Sequence, residues 1–353
     1  GNDRIQRFSA NGAFELAFGS SGDGRGRFLA PSDLAIDAGG TVFVADLGNH
    51  RVQRFDADGV FETSWGGQGR GPGQFVGPAG VAVAPDGSVY VTDRGNHRVQ
   101  HFTRDGGFLA SWGGNGRALG EFRSPQGIAV AADGTVFVSD LLNHRIVSFA
   151  PDGTPRAEWG TIGSDRGQFV WPTDVAVTPD GLICVTDDGL TGDTNDRIQC
   201  FTGDGDYVGF WSGPGGGDAE LQNPEGLAFG PSGAWVADLT AHRVIAFGPT
   251  PLEPWRIEFF GNRWLTERPL AVAGAEAMDL NWGLSAPGDA LPVDGFGLRA
   301  SRDVLLPAGL SRLVLDGRGG ARLWLDDDLL LDTWTTPSDG PSVAHAEVPT
   351  AGR

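Results

Sequence analysis

A repeat close to 47 residues long governs this chain. Five strand-forming runs end in aspartate: Val42-Phe43-Val44-Ala45-Asp46, Val89-Tyr90-Val91-Thr92-Asp93, Val136-Phe137-Val138-Ser139-Asp140, Ile183-Cys184-Val185-Thr186-Asp187 and Trp235-Val236-Ala237-Asp238. The aspartates step by 47, 47, 47 and 51 residues. Each is followed by a polar turn and then Asn49-His50-Arg51, Asn96-His97-Arg98, Asn143-His144-Arg145, Asn195-Asp196-Arg197 or Ala241-His242-Arg243. A β-rich run then reaches Phe55, Phe102, Phe149, Phe201 or Phe247. Self-similarity at this period marks one supersecondary unit that buries its apolar face only against its neighbours.

Each unit holds four apolar runs of strand length. In the second they are Gly80 to Val83, Val89 to Thr92, Arg98 to Phe102 and Phe108 to Trp112. The links Pro85-Asp86-Gly87 and Arg104-Asp105-Gly106 read as tight hairpins, because Asp-Gly tolerates the positive φ such turns need. Four antiparallel strands repeated radially make a β-propeller, so the fold class is all-β. Composition agrees: 57 glycines and 22 prolines in 353 residues exclude a helical bundle, and a 40 % apolar, 10 % aromatic chain is not disordered.

The recurring segments resemble the NHL repeat over residues 2 to about 247. That resemblance implies a six-bladed propeller over 1–248. Asn2 to Phe8 and Phe14 to Gly19 supply only the last two strands of a unit, four units are complete, and the fifth ends near Phe247 with three strands. Trp255 to Gly261 is a candidate fourth strand. Six blades need more strands than this, so the first blade is expected to be incomplete and the chain to be an amino-terminal truncation.

A Pro-rich linker, 249–254, ends the period. The segment 255–353 has short alternating runs with glycine-bearing turns, the pattern of a β-sandwich. Its Asp294-x-Phe296-x-x-Arg299 and Arg322-Leu323-Trp324-x-Asp326 motifs resemble a protective-antigen-type (PA-14) domain, with the carboxy end expected to be cut short. Such modules imply carbohydrate binding. Lectin-like members use adjacent aspartates in the loop before the Trp strand; here Asp316 is the single acid of that loop, and Asp326-Asp327-Asp328 reads as a solvated turn.

Formal charge is -19 at pH 7, and every basic residue is arginine. A polyanion would be repelled, so nucleic acid is not an expected partner. No run approaches eighteen apolar residues, so no segment reads as a membrane-spanning helix.

Residues that recur in every unit read first as fold residues. Asp46, Asp93, Asp140, Asp187 and Asp238 are placed to pair with Arg51, Arg98, Arg145, Arg197 and Arg243 and so fix each blade's register. His50, His97, His144 and His242 are expected to mend each blade's own turn. Arg25, Arg70, Arg117 and Arg166 lie in glycine-rich loops on one expected propeller face, a candidate ring for an anionic or sugar ligand or else solvated surface. The fourth unit is five residues longer between Asp187 and Arg197. Asp188, Asp193 and Asp196 there are candidate calcium ligands, the alternative being an acidic surface insertion. The two cysteines, Cys184 and Cys200, are symmetric about that loop and either form a disulfide or remain buried thiols.

The resulting expectation is a non-catalytic interaction scaffold, monomeric within a larger polypeptide, at a bacterial cell surface or outside the cell, with a protein or glycan partner. Related six-bladed propellers include metal-dependent lyases and lactonases, which makes an enzyme the alternative. Such sites break repeat symmetry with His, Glu or Asp facing the channel. The one non-repeat histidine near the end of the chain is His345.

Overall fold

The computed structural model describes residues 2–9, 12–189, 196–211, 221–230 and 233–247, together with the backbone of the strands between 255 and 348. A two-stranded ribbon comes first, β1 (Ile5–Phe8) and β2 (Phe14–Phe18). Four antiparallel four-stranded sheets follow, each in simple sequential order. Blade 1 is β3 (Pro31–Ile36), β4 (Val42–Asp46), β5 (Arg51–Phe55) and β6 (Phe61–Gly66). Blade 2 is β7 (Pro78–Val83), β8 (Val89–Asp93), β9 (Arg98–Phe102) and β10 (Phe108–Gly113). Blade 3 is β11 (Pro125–Val130), β12 (Val136–Asp140), β13 (Arg145–Phe149) and β14 (Pro155–Trp159). Blade 4 is β15 (Trp171–Val177), β16 (Ile183–Asp188), β17 (Arg197–Phe201) and β18 (Tyr207–Trp211). Blade 5 has three strands, β19 (Pro224–Gly230), β20 (Gly233–Asp238) and β21 (Arg243–Phe247).

The first strand of each blade neighbours the first strand of the next, so β3, β7, β11, β15 and β19 are the inner strands of a β-propeller. The resemblance implies six blades; among the described residues the structure has five. The strand count before residue 248 is as expected, and β1–β2 stays a two-stranded ribbon. The candidate fourth strand of the last blade is also corrected. Trp255–Phe260 is β22, and it pairs with β23 (Ala271–Ala275) and β24 (Gly297–Ser301) instead. Three prolines between Phe247 and Trp255 have no N–H to donate to a ladder, which favours a break there.

Alternation sends the two faces of each blade into two different interfaces. Phe43, Ala45 and Val52 of blade 1 pack on Val81, Val89, Val91 and Phe102 of blade 2. Ala82, Tyr90 and Val99 of blade 2 meet Ile128, Val136, Val138 and Phe149. The same positions join blade 3 to blade 4 and blade 4 to blade 5. The Asp-Gly hairpins adopt the geometry their residues call for, with φ 83° at Gly87 and 86° at Gly106.

The chain separates into two compact units, Gly1–Ala300 and Ser301–Arg353. In the second, β25 (Gly309–Leu315) pairs with β28 (Ser342–Val348), and β26 (Arg322–Leu325) with β27 (Asp328–Asp332). Asp316, Asp326 and Asp327, like Asp193 and the 249–254 linker, lie outside the described residues.

Candidate functional site

The repeated aspartates organise the loop that leads into each blade. All five are buried at the end of the second strand. Asp93 Oδ1 accepts Val76 N at 2.7 Å, while Oδ2 accepts Asn96 Nδ2 at 2.8 Å, Arg98 Nε at 2.8 Å and Gln100 Nε2 at 3.2 Å. Arg98 then donates to the carbonyls of Gly71 and Gln74. A loop of glycines has backbone groups to satisfy and few side chains to do it, and the Asp–Asn–Arg–Gln cluster supplies the partners. The Asp–Arg pairing recurs at Asp46–Arg51, Asp140–Arg145, Asp187–Arg197 and Asp238–Arg243. Burial pushes the Asp140 carboxyl above its ordinary value despite hydrogen bonds from Asn143, Arg123 N and Arg145.

The histidines do more than mend a turn. His50, His97 and His144 sit at φ 54°, 57° and 57°, closing a one-turn 3₁₀ segment within their own blade. Their Nδ1 atoms also reach the next blade: His50 accepts Gly77 N at 3.0 Å and His97 accepts Ser124 N at 3.1 Å. Asp3 plays this part in the ribbon, with φ 45° and Oδ1 accepting Ala30 N at 2.9 Å.

Arg25, Arg70, Arg117 and Arg166 are all exposed. The loops carrying Arg25, Arg70 and Arg166 are held against the third strand of their own blades, through Gly26 N, Gly73 N and Gly167 N bonded to Gln53, Gln100 and Gln199. The Arg166 guanidinium lies 5.7 Å from the ring centre of Tyr207 on the outermost strand of blade 4.

The departures that matter lie on the inner strands, where sequence reading looked for histidine and passed over aspartate. At one register position the five blades carry Asp33, Gly80, Gly127, Asp174 and Gly226. Glycine permits a close approach: a Cβ at Gly127 would lie 2.6 Å from the Asp174 Cα. Where aspartate stands, its carboxylate joins two blades. Asp33 accepts Leu34 N and Val81 N, each at 2.7 Å. Asp174 accepts Val175 N and Leu227 N, each at 2.8 Å. Ser32 and Thr173 beside them add hydroxyl bonds to Ala79 O and Pro224 O, both 2.7 Å. Blades 2 and 3 make the corresponding tie from the second strand, through Thr92 to Gln126 O and Ser139 to Thr173 O.

These carboxylates are electrostatically linked. Burial lifts Asp33 to about 6 against its two amide hydrogen bonds. Burial, with the Asp33 charge added, lifts Asp174 well above the carboxylate range. Glu225, beside Gly226, is raised by burial and held back by Arg94. Asp188 rises to about 7 through burial, a carboxyl contact with Asp196, and the charges of Asp196, Glu225 and Asp187. The inner strands, with Asp188 at the end of β16, therefore carry a chain of acids that resists full ionisation at neutral pH.

A group raised above its unfolded value contributes stability below the unfolded pKa and loses it as pH rises through the folded one. The unfolded values lie near 4, and Asp33 and Asp188 reach about 6 and about 7. The melting temperature should fall between pH 5 and pH 8, by roughly 5 °C if about 2 kcal/mol is lost. Scanning calorimetry of Asp33→Asn, Asp174→Asn and Asp188→Asn should show a flatter pH dependence. An unchanged slope in all three would remove the channel acids as its source.

Asp188 and Asp196 of the calcium candidates do come together, with Gly189 N donating to Asp196 Oδ1 at 3.0 Å. Among the described residues no set of three or more His, Cys, Asp and Glu is arranged to hold a metal. Cys184 and Cys200 face each other across β16 and β17 and are bonded. At the hairpin end of the inner strands, Ile36, Val83, Val130 and the turns after them line a recess of about 450 Å³.

The NHL repeat family matches residues 28–55, 75–102 and 122–149. No curated protein has a matching sequence. Among solved structures, the chain is similar to one in a nidogen/laminin complex, at 17 % identity and a TM-score of 0.53, over 70 % of this chain and 86 % of that one. A protein of unknown function from Bacteroides caccae gives 12 % identity and a TM-score of 0.51 over the same shares. An inactive virginiamycin B lyase from Staphylococcus aureus gives 16 % and 0.48, over 71 % of this chain and 80 % of that one. The chain spans 55 % of the matching hydrazine synthase chain from Kuenenia stuttgartiensis. Identities this low speak for the fold alone. The chain carries NHL repeats, and their fold is a β-propeller.

Proposed function

We propose that this protein is a non-catalytic interaction scaffold. One observation carries the reading: Asp33 and Asp174, the repeat-breaking acids an enzyme would place at the channel, engage both carboxylate oxygens with backbone amides of two blades. Main-chain amides on both oxygens are the arrangement of a structural bridge between blades, and this supports a fold role for the two acids over an acid–base one. The charge of -19 favours a partner that is not a polyanion. The 255–353 segment is proposed as a PA-14-like carbohydrate-binding module, on its motifs. The Cys184–Cys200 bond supports an oxidising, extracellular or cell-surface location. The 188–196 loop is proposed to take calcium, supported by the closeness of Asp188 and Asp196.

The test is a glycan array with and without calcium, run beside lactonase and lyase assays on the wild type and an Asp33→Asn/Asp174→Asn variant. Saturable glycan binding retained in the variant supports the scaffold. Turnover by the wild type that the folded variant loses overturns it. Calcium should raise the melting temperature of the wild type and not of Asp188→Asn; equal melting with calcium and with chelator would exclude the ion.

A further inference from the structure

Blades 1 to 4 each turn a fourth strand outward, which leaves one edge of backbone N–H and C=O groups without a neighbouring strand. Natural sheets guard such an edge with charge or proline. β6 carries Glu62, and β14 carries Pro155, Arg156 and Glu158. β18 follows directly on the exposed Asp206. β10, Phe108-Leu109-Ala110-Ser111-Trp112-Gly113, has neither guard, and no charged residue occurs from Gly106 to Gly116. Phe108 is 39 % and Leu109 51 % exposed, whereas Val208, the counterpart of Leu109 on β18, is half-buried. Blade 2 is complete and packed between blades 1 and 3, so this edge stands apart from both ends of the chain.

The edge is self-complementary in shape. An antiparallel match of β10 with the β10 of a second copy, about a two-fold axis, sets the bulky Phe108–Leu109 end of each strand beside the open Gly113–Gly114 end of the other. Trp112 does not obstruct this, because its ring is turned into the blade against Tyr90 and Phe149. Charge points the same way. Two copies at -19 each repel, and contact is least opposed along a run that carries no charge. The flanks of that run are of opposite sign. Asp105 precedes it with a side chain 82 % exposed, and the exposed Arg117 follows it. Asp105 Oδ1 takes Arg54 Nη1, while Oδ2 has no bond among the described residues. Antiparallel pairing brings Asp105 of each copy to the Arg117 end of the other; a parallel match would set like charge beside like.

We propose that β10 is the seam of a two-fold homodimer, in which two four-stranded blades join edge to edge as one continuous sheet. Main-chain hydrogen bonds supply the pairing, Leu109 packs over the glycines of the facing strand, and Asp105 with Arg117 at each end sets the register. The guarded edges of β6 and β14 stay single, so assembly closes at two copies instead of growing into fibres.

Sedimentation velocity of the full chain from about 1 µM to about 300 µM should show a reversible monomer–dimer equilibrium. Leu109→Lys and Ser111→Lys, both at exposed positions, should each weaken it at least about tenfold and leave the melting temperature of the dilute protein unchanged. Arg117→Asp, which sets acid against acid, should weaken it as well. Ser64→Lys, the matching change on β6, should leave dimerisation as it is. Hydrogen exchange should show β10 amides gaining protection as concentration rises, with those of β6 and β14 unaffected. The proposal is overturned if the wild type stays monomeric throughout, if the dimer persists in both β10 lysine variants, or if rising concentration protects a different edge. A monomer whose β10 amides are protected only by an added peptide of residues 106–116 excludes the second copy and assigns the edge to a foreign strand.

Discussion

Asp140→Ala is expected to remove about 3–5 kcal/mol of stability, the cost of breaking a buried ion pair from one side. Arg145 is 3 % exposed and Asp140 fully enclosed. The carboxylate takes Arg123 N, Asn143 Nδ2 and Arg145 Nε at 2.6, 2.7 and 2.9 Å. Its loss leaves the amide and Asn143 short of an acceptor. The guanidinium keeps bonds to the carbonyls of Arg117, Ala118 and Glu121 and to the Glu158 carboxylate, so its charge is not wholly abandoned. The raised Asp140 pKa shows that burial costs more than these partners return, so the pair supplies geometry more than net energy. It follows that Asp140→Ala and Arg145→Met should be strongly non-additive, the double variant recovering part of the loss. Urea unfolding of the four proteins measures this. A single-variant loss under about 1 kcal/mol, or simple additivity, would refute the account.

The propeller was legible because its signals are local and repeated. Asp-Gly pairs mark hairpins wherever they fall, and a strand ending in aspartate followed by Asn-His-Arg announces the turn that closes on it. The number of blades was less legible, since sequence spacing counts units and says nothing of which sheet a strand joins. Trp255–Phe260 reads as a strand and is one, yet it pairs with β23 and β24. The histidines were half legible: their left-handed turn follows from position, but the Nδ1 bond to a residue 27 positions on is a contact between blades. The channel acids were missed for a related reason. Asp33 and Asp174 look like ordinary polar residues until they are aligned with Gly80, Gly127 and Gly226. Only the closeness of adjacent inner strands turns that substitution into a bridge.

Opening the Cys184–Cys200 bond should cost about 3 kcal/mol, the chain-entropy value for a loop of this size. The cysteines are 16 residues apart and directly opposed on β16 and β17, so the bond closes the fourth unit's extended loop. That loop is five residues longer than its counterparts and returns the most entropy to the unfolded chain when released. Both sulfurs also lie in the layer shared with Ile198, Leu227, Ala234 and Val236, at the blade 4 and blade 5 interface. Denaturant midpoints of one sample, oxidised and then reduced, isolate the cross-link, because reduction leaves the packed atoms in place. Cys184→Ala/Cys200→Ala should be less stable again through the volume it deletes. Hydrogen exchange should localise the change, with the β19 and β20 amides losing protection before those of blades 1 to 3. Equal midpoints for the oxidised and reduced protein would mean the bond constrains nothing that folding does not already fix, and that the three-stranded blade 5 is held by packing alone.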